Sequence, residues 1–250
     1  MANATLIGVN TVTEKQVMES ETPEATRTHV PLPHGTFIDL LKKMLQVHEW
    51  NITASTYGFN ESVIGEAKHP AARLFGIYHI EKDGMPTGME YVRALGFRNS
   101  HDKRLPAGIV MGLQIMVCSN LDFYGESKVQ HKHTVNMMPQ LSARLFEMLG
   151  NMDQVFSNHS AQLETYKERD ISDTETHDII VRGADSGVYP WTFGERILKE
   201  YRNPRHEEFK DRNVWGLYNA TTETLKDRNV TYLPNSTQKL HKLLGEVCLN

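Results

Sequence analysis

Cysteine is all but missing from this sequence: Cys118 and Cys248 are the whole complement in 250 residues. Two thiols so far apart provide neither a disulfide framework nor a CxxC zinc site. Both are expected to be reduced, and Cys118, inside an apolar run, to pack as a small hydrophobe. Also lacking is any apolar stretch of about 18 residues, the length a membrane helix needs, so no membrane partner is expected. The opening MANATLIGVNTVTEKQVMESETPEATRTH has no basic flank followed by an apolar core, which argues against a secretion signal and for a cytoplasmic protein. An excess of positive charge is missing too, since 27 Lys and Arg face 31 Asp and Glu for a net charge of −4. That balance excludes a chain that coats nucleic acid through its global charge, but it leaves room for a local basic patch.

What is present is the composition of a soluble globular protein, 39% hydrophobic and 23% charged, in a chain long enough to bury a core without staples. The polar start, closed by HVPLPHG, predicts a flexible arm over residues 1–30. From Thr36, a natural cap, Phe37, Leu40, Leu41, Met44, Leu45 and His48 recur at three and four residues and predict an amphipathic helix. Between about 71 and 134 the period shortens. ARLFGIYHIE, GMEYVRALGFR and IVMGLQIMVCSN, separated by KDGMPTG and NSHDKRLPAG, read as strands, and LDFYGES with KVQHKHT as one more turn and strand. Leu141, Leu145, Met148, Leu149, Met152, Val155 and Phe156 then mark a long helix with a break at Gly150. Shorter helices follow, including one with a buried stripe of Trp215, Leu217, Tyr218 and Leu225, on which Asn219 and Glu223 stand four apart and are candidates to share a cleft. The fold class expected is α+β: an antiparallel β-meander covered by helices, in one domain over 31–235 with the sheet at about 71–134 and helices over 137–235, followed by a C-terminal tail over 236–250.

The sequence LGFRNSHDKRLPAGIVMGLQIMVCSNLDFYGE, then KHT, then NVWGLYNATTE resembles the motifs of the phage/plasmid-like proteins, an uncharacterised family carried by phages, plasmids and integrative elements. The resemblance spans about residues 28–235. It implies an origin in a mobile element within a bacterial host and work in DNA metabolism or in conflict with host defence. The strand-rich region followed by a covering helix is also similar, at the level of fold, to the core of single-strand annealing proteins.

Ser100, His101 and Asp102 in immediate succession do not make a catalytic triad, because adjacent side chains diverge. Asn99, Ser100 and Asp102 are instead expected to hold a turn through their own backbone. His131 and His133, two apart on a strand, would face the same way, and with His101 and Asp102 they define an alternative metal site for a metal-dependent phosphodiesterase or hydrolase. Without that site no cofactor is expected. The favoured contacts are Arg98, Lys103, Arg104, Lys128 and Lys132 on a nucleic acid, with Phe97, Phe123 and Tyr124 available for base stacking. Arg93 and Arg98 differ by an odd number of positions and should face opposite sides of the sheet. The expected function is therefore a nucleic-acid-binding accessory protein acting on single-stranded DNA, with a homo-oligomer as the expected assembly. The remaining alternative is a non-enzymatic protein that binds a host defence component.

Overall fold

The computed structural model describes residues 8–84, 91–115, 121–226 and 232–249, with the backbone alone at 114–115 and 121–127. Six strands form one antiparallel sheet in chain order: β1 (Asn10–Val12), β2 (Asn51–Ile64), β3 (Ala67–Glu81), β4 (Tyr91–Ser100), β5 (Ala107–Ile115) and β6 (Leu121–His131). Around it run helices α1 (Glu14–Met18), α2 (His34–Val47), α3 (Met137–Gly150), α4 (Met152–Glu168), α5 (Asp173–Asp185), α6 (Gly194–Arg202), α7 (Val214–Leu225) and α8 (Leu233–Cys248). The α+β meander expected from the alternating strands and the 3.6-residue stripes is the architecture found. None of the described helices is long and apolar enough to cross a membrane.

Pleating sends alternate residues to opposite faces. Leu74, Tyr78 and Ile80 of β3, Leu95 and Phe97 of β4, and Ile109, Met111 and Leu113 of β5 all enter one main core with the helices, whereas Phe75, Ile77 and Ala94 form a small cluster on the other face. Arg93 and Arg98 obey the same parity. The Arg93 guanidinium lies 5.9 Å from the Phe156 ring on the helical side, and Arg98 is on the reverse.

Several expectations are corrected. The segment 1–30 is not a free arm where it is described: Asn10–Val12 pairs with β2, Val17 of α1 is fully buried, and Val30 donates to the His133 carbonyl. Helix α2 starts two residues before Thr36, because Pro33, with φ −54° and ψ 134°, already directs its carbonyl to the Phe37 amide. The presumed tail 236–250 is most of α8, whose Leu240, Leu243, Leu244 and Val247 are buried in the main core. β6 runs as one strand from Leu121, with a shift of register between Tyr124 and Lys128 that leaves 125–127 outside the ladder to β5. Cys118 and part of the 82–88 linker lie outside the described residues. Asn219 and Glu223 do not share a cleft. Asn219 bonds the Trp215 carbonyl inside a helix buried at every position but Glu223, which pairs with Arg205 at 2.7 Å.

Gly76 of β3 stands opposite Phe97 of β4, and a Cβ there would come within 2.2 Å of the Phe97 ring. The missing side chain is thus the socket for an aromatic that also packs on Tyr57 and Tyr78. Gly76→Ala should lower stability by about 1–3 kcal/mol through overpacking. Gly150→Ala, whose Cβ would meet the His48 ring at an ordinary 3.5 Å, should leave stability unchanged or slightly raised. Urea unfolding midpoints of the two variants check both expectations.

Candidate nucleic-acid interface

Ala107 opposes His131, so the turn from β4 to β5 and the chain leaving β6 lie at one end of the sheet. A strap formed by residues 29–34 crosses the same end, and a buried amide joins the three. Asn99, fully buried, donates through Nδ2 to the Leu32 carbonyl at 2.7 Å and to His34 Nδ1 at 2.9 Å, while its Oδ1 accepts from His133 Nε2 at 2.7 Å. This geometry assigns the tautomers, because Nδ1 of His34 must accept, which leaves the Nε2 proton to donate to the Ala71 carbonyl at 2.9 Å. His34 stacks on His101 with centroids 3.9 Å apart and planes 6° from parallel, and His101 Nε2 donates to the Leu32 carbonyl at 2.9 Å. Burial, reinforced by neighbouring imidazoles, pushes His34 down to about 3 and His133 to about 4. Burial likewise lowers His101 to about 4 against the opposing pull of its backbone bond to Leu32. All three rings are neutral at neutral pH.

Around this neutral interior the charges are sorted. Asp102, its side chain 1% exposed, accepts from Arg73 at 2.5 and 2.7 Å, from the Ser100 hydroxyl at 2.5 Å and from the Arg104 amide at 3.2 Å. Burial alone would raise its carboxyl, but the bonds from Arg73 and Ser100 outweigh it and hold the group down at about 2. Ser100 and Asp102 thus secure the turn as expected, whereas Asn99 reaches across to the strap. Anchored on this corner, Lys103 takes a left-handed φ of 65° and is exposed, and exposed Arg104 keeps only a 4.0 Å approach to Asp102. Lys132 is exposed between two tethered histidines. His131 bonds Gln140 Oε1 at 2.7 Å and its neighbour's carbonyl, and His133 bonds Asn99.

Of the five expected contact residues, Lys103, Arg104 and Lys132 therefore share the sheet end. Arg98 is half-buried on the face away from the main core, opposite Gly108, and Lys128 lies two register pairs further along β5, opposite Val110. Burial lowers the Arg98 pKa. The structure does not assemble His101, Asp102, His131 and His133 into the alternative metal site. Each is bonded elsewhere, His133 lies beyond the end of β6 so the same-face argument fails, and no group of three candidate ligands stands ready for an ion among the described residues. Phe97 is core and not a stacking platform, and the side chains of Phe123 and Tyr124 lie outside the described ones. Of the two residues that organise the site, His34 carried a signal only in the prolines that hold HVPLPHG extended, and Asn99, expected to hold the turn through its own backbone, instead bonds the strap and His133.

Asn99→Ala would leave His34, His133 and the Leu32 carbonyl short of partners and should cost about 3 kcal/mol. In the unfolded chain these histidines take up protons near their ordinary 6.5, and in the fold only near 3 to 4. The unfolded state therefore binds more protons as pH falls, and stability should decline from about pH 6.5 downward, with Asp102 adding its own loss below 3.8. Urea midpoints measured against pH should show this slope, and His133→Gln should make it shallower. Set against family models, curated proteins and solved structures, the chain matches none.

Proposed function

We propose that this chain binds single-stranded nucleic acid, DNA in the first instance, as a non-catalytic accessory protein of a mobile element in a bacterial cytoplasm. One observation carries the reading. Among the described residues Arg98, Lys103, Lys128 and Lys132 have no carboxylate partner, and Arg104 has only a distant one. Other surface cations are spent on carboxylates, among them Lys68 on Glu61, Arg182 on Glu246, Arg205 on Glu200 and Glu223, and Lys210 on Glu207. The carboxylate nearest the turn, Asp102, is sequestered by Arg73. A chain of net charge −4 thus keeps Lys103, Arg104 and Lys132 together at one end of the sheet without a close counter-charge, which is the electrostatic footprint that phosphates need. The resemblance of Leu95–Glu126 and the later motifs to phage/plasmid-like proteins supports the mobile-element setting. Unpaired cations at a sheet end are also compatible with self-association along one strand.

Binding should be largely independent of sequence and should fall with salt, with a log–log slope that shrinks by about 0.7 for each phosphate contact removed. Lys103→Glu with Arg104→Glu should abolish it, and Lys128→Glu with Lys132→Glu should weaken it. Neither pair should alter the thermal midpoint by more than a few tenths of a kcal/mol, because exposed charges contribute little to stability. Fluorescence anisotropy with labelled oligonucleotides from low to physiological salt measures this. Well-folded protein that binds nothing at low salt, or binds undiminished after both reversals, would sink the reading and favour a host defence protein as the partner.

A further inference from the structure

At the end of the sheet opposite the cations, where Asn51 opens β2 across from Glu81, a cavity of about 500 Å³ lies between the strand and helices α1 and α2. The chain passes from α2 to β2 through a Schellman turn, in which the Trp50 amide reaches back to the Leu45 carbonyl at 2.9 Å and the Glu49 amide to the Gln46 carbonyl at 3.1 Å. Such a turn holds one residue in the left-handed region, where glycine is the usual occupant. Here it is Glu49, at φ 63°. The same glutamate stands at the negative end of the helix dipole, beside a last turn that holds no basic residue. Backbone and charge both disfavour it there. Glu49 is nonetheless exposed on the wall of the cavity, with no cationic partner among the described residues. Lys42, the one cation lining the cavity, is committed to Glu14, whose other oxygen accepts from the Tyr57 hydroxyl at 2.9 Å. Lys82, whose ammonium lies 5.7 Å from the centre of the Trp50 ring, is paired with Asp153 at 3.1 Å. Trp50 is 3% exposed and lines the cavity, and its indole Nε1–H meets no acceptor among the described residues.

We propose that this cavity binds a small organic cation, whose ammonium group is held by Glu49 and whose hydroxyl or carbonyl oxygen, a few bonds away, accepts from Trp50. The inference is independent of the nucleic-acid reading. An acid kept unpaired at the negative end of a helix, in a backbone conformation that strains it, selects a positive charge. A bare metal ion finds too few ligands, because no group of three candidate ligands stands together among the described residues. The charge therefore arrives on an organic group. A buried donor without an acceptor lowers stability until a ligand supplies one, which selects an oxygen on the same molecule. Gln46, Asn51 and Ser55 surround these two contacts with neutral polar groups, which suit a hydroxylated amine better than an apolar one.

The test titrates the full chain with probes that share a three-carbon skeleton, followed by nuclear magnetic resonance: aminopropanediol, which carries both groups, glycerol, which lacks the charge, and diaminopropane, which lacks the oxygens. Aminopropanediol should bind about tenfold more tightly than either of the others, as one charged hydrogen bond or one rescued donor implies. It should move the indole N–H resonance of Trp50 and leave those of Trp191 and Trp215 in place. Glu49→Gly should weaken its binding about tenfold and at the same time raise the urea midpoint, because the change relieves the backbone and removes the unfavourable charge together. Glu49→Gln, which keeps the strained backbone, should weaken binding as much with a smaller gain in midpoint. Aminopropanediol that binds no more tightly than glycerol, or that binds Glu49→Gly undiminished, would overturn the site. Diaminopropane binding as tightly as aminopropanediol, or a shift confined to Trp191 or Trp215, would overturn the assignment of the ligand to Glu49 and Trp50. None of these results bears on the cations at the other end of the sheet.

Discussion

The end of the sheet depends on one buried amide. Asn99, at the end of β4, offers two donors and an acceptor: both donors go to the strap, to Leu32 and to His34 at the start of α2, and the acceptor takes His133 after β6. In a dry interior such an amide is favourable only when fully paired, so the three segments must arrive together or the cost of the unpaired groups falls on all of them. The neighbouring histidines follow from this. Their protons are committed to carbonyls and to Asn99, and burial keeps them neutral, so the interior carries no charge to compete with what lies outside it.

A sorting of charge results. The acid at the turn is drawn inward and neutralised by Arg73 on β3, and the hydroxyl of Ser100 completes its shell. The lysines beside it inherit the fixed backbone without inheriting a counter-charge. Fixed geometry and free charge seldom coincide on a protein surface, where long cationic side chains usually find a carboxylate or wave in solvent. Here the anchors alternate with the cations in the sequence itself: His101 and Asp102 before Lys103, His131 and His133 on either side of Lys132.

Much of the meander was legible because β3, β4 and β5 are rich in apolar residues and punctuated by Gly and Pro. β2 was not, and the reason is geometric. A shift in its pairing between Ile52 and Ala54 reverses the parity, so that Ile52 faces the core from an even position and Tyr57 and Phe59 from odd ones. The alternation that marks a half-buried strand is thereby broken within an otherwise polar run. α8 did carry a readable stripe at Leu240, Leu243, Leu244 and Val247, hidden only by its place at the end of the chain. Of the site, the cations and the turn were visible from local composition, but the meeting of HVPLPHG with RNSHD and KHT was not. That contact joins segments distant in sequence, and no local period records it.

The conformation of Lys103 has an evolutionary side. A left-handed backbone disfavours any residue with a Cβ by about 1–2 kcal/mol, and glycine or asparagine would relieve that strain at the tip of this turn. A lysine there runs against the stability of the fold, so drift acting on stability alone would tend to replace it. Selection for the charge itself would resist that drift, and the identity of this one residue among divergent relatives would record whether the end of the sheet is under functional constraint.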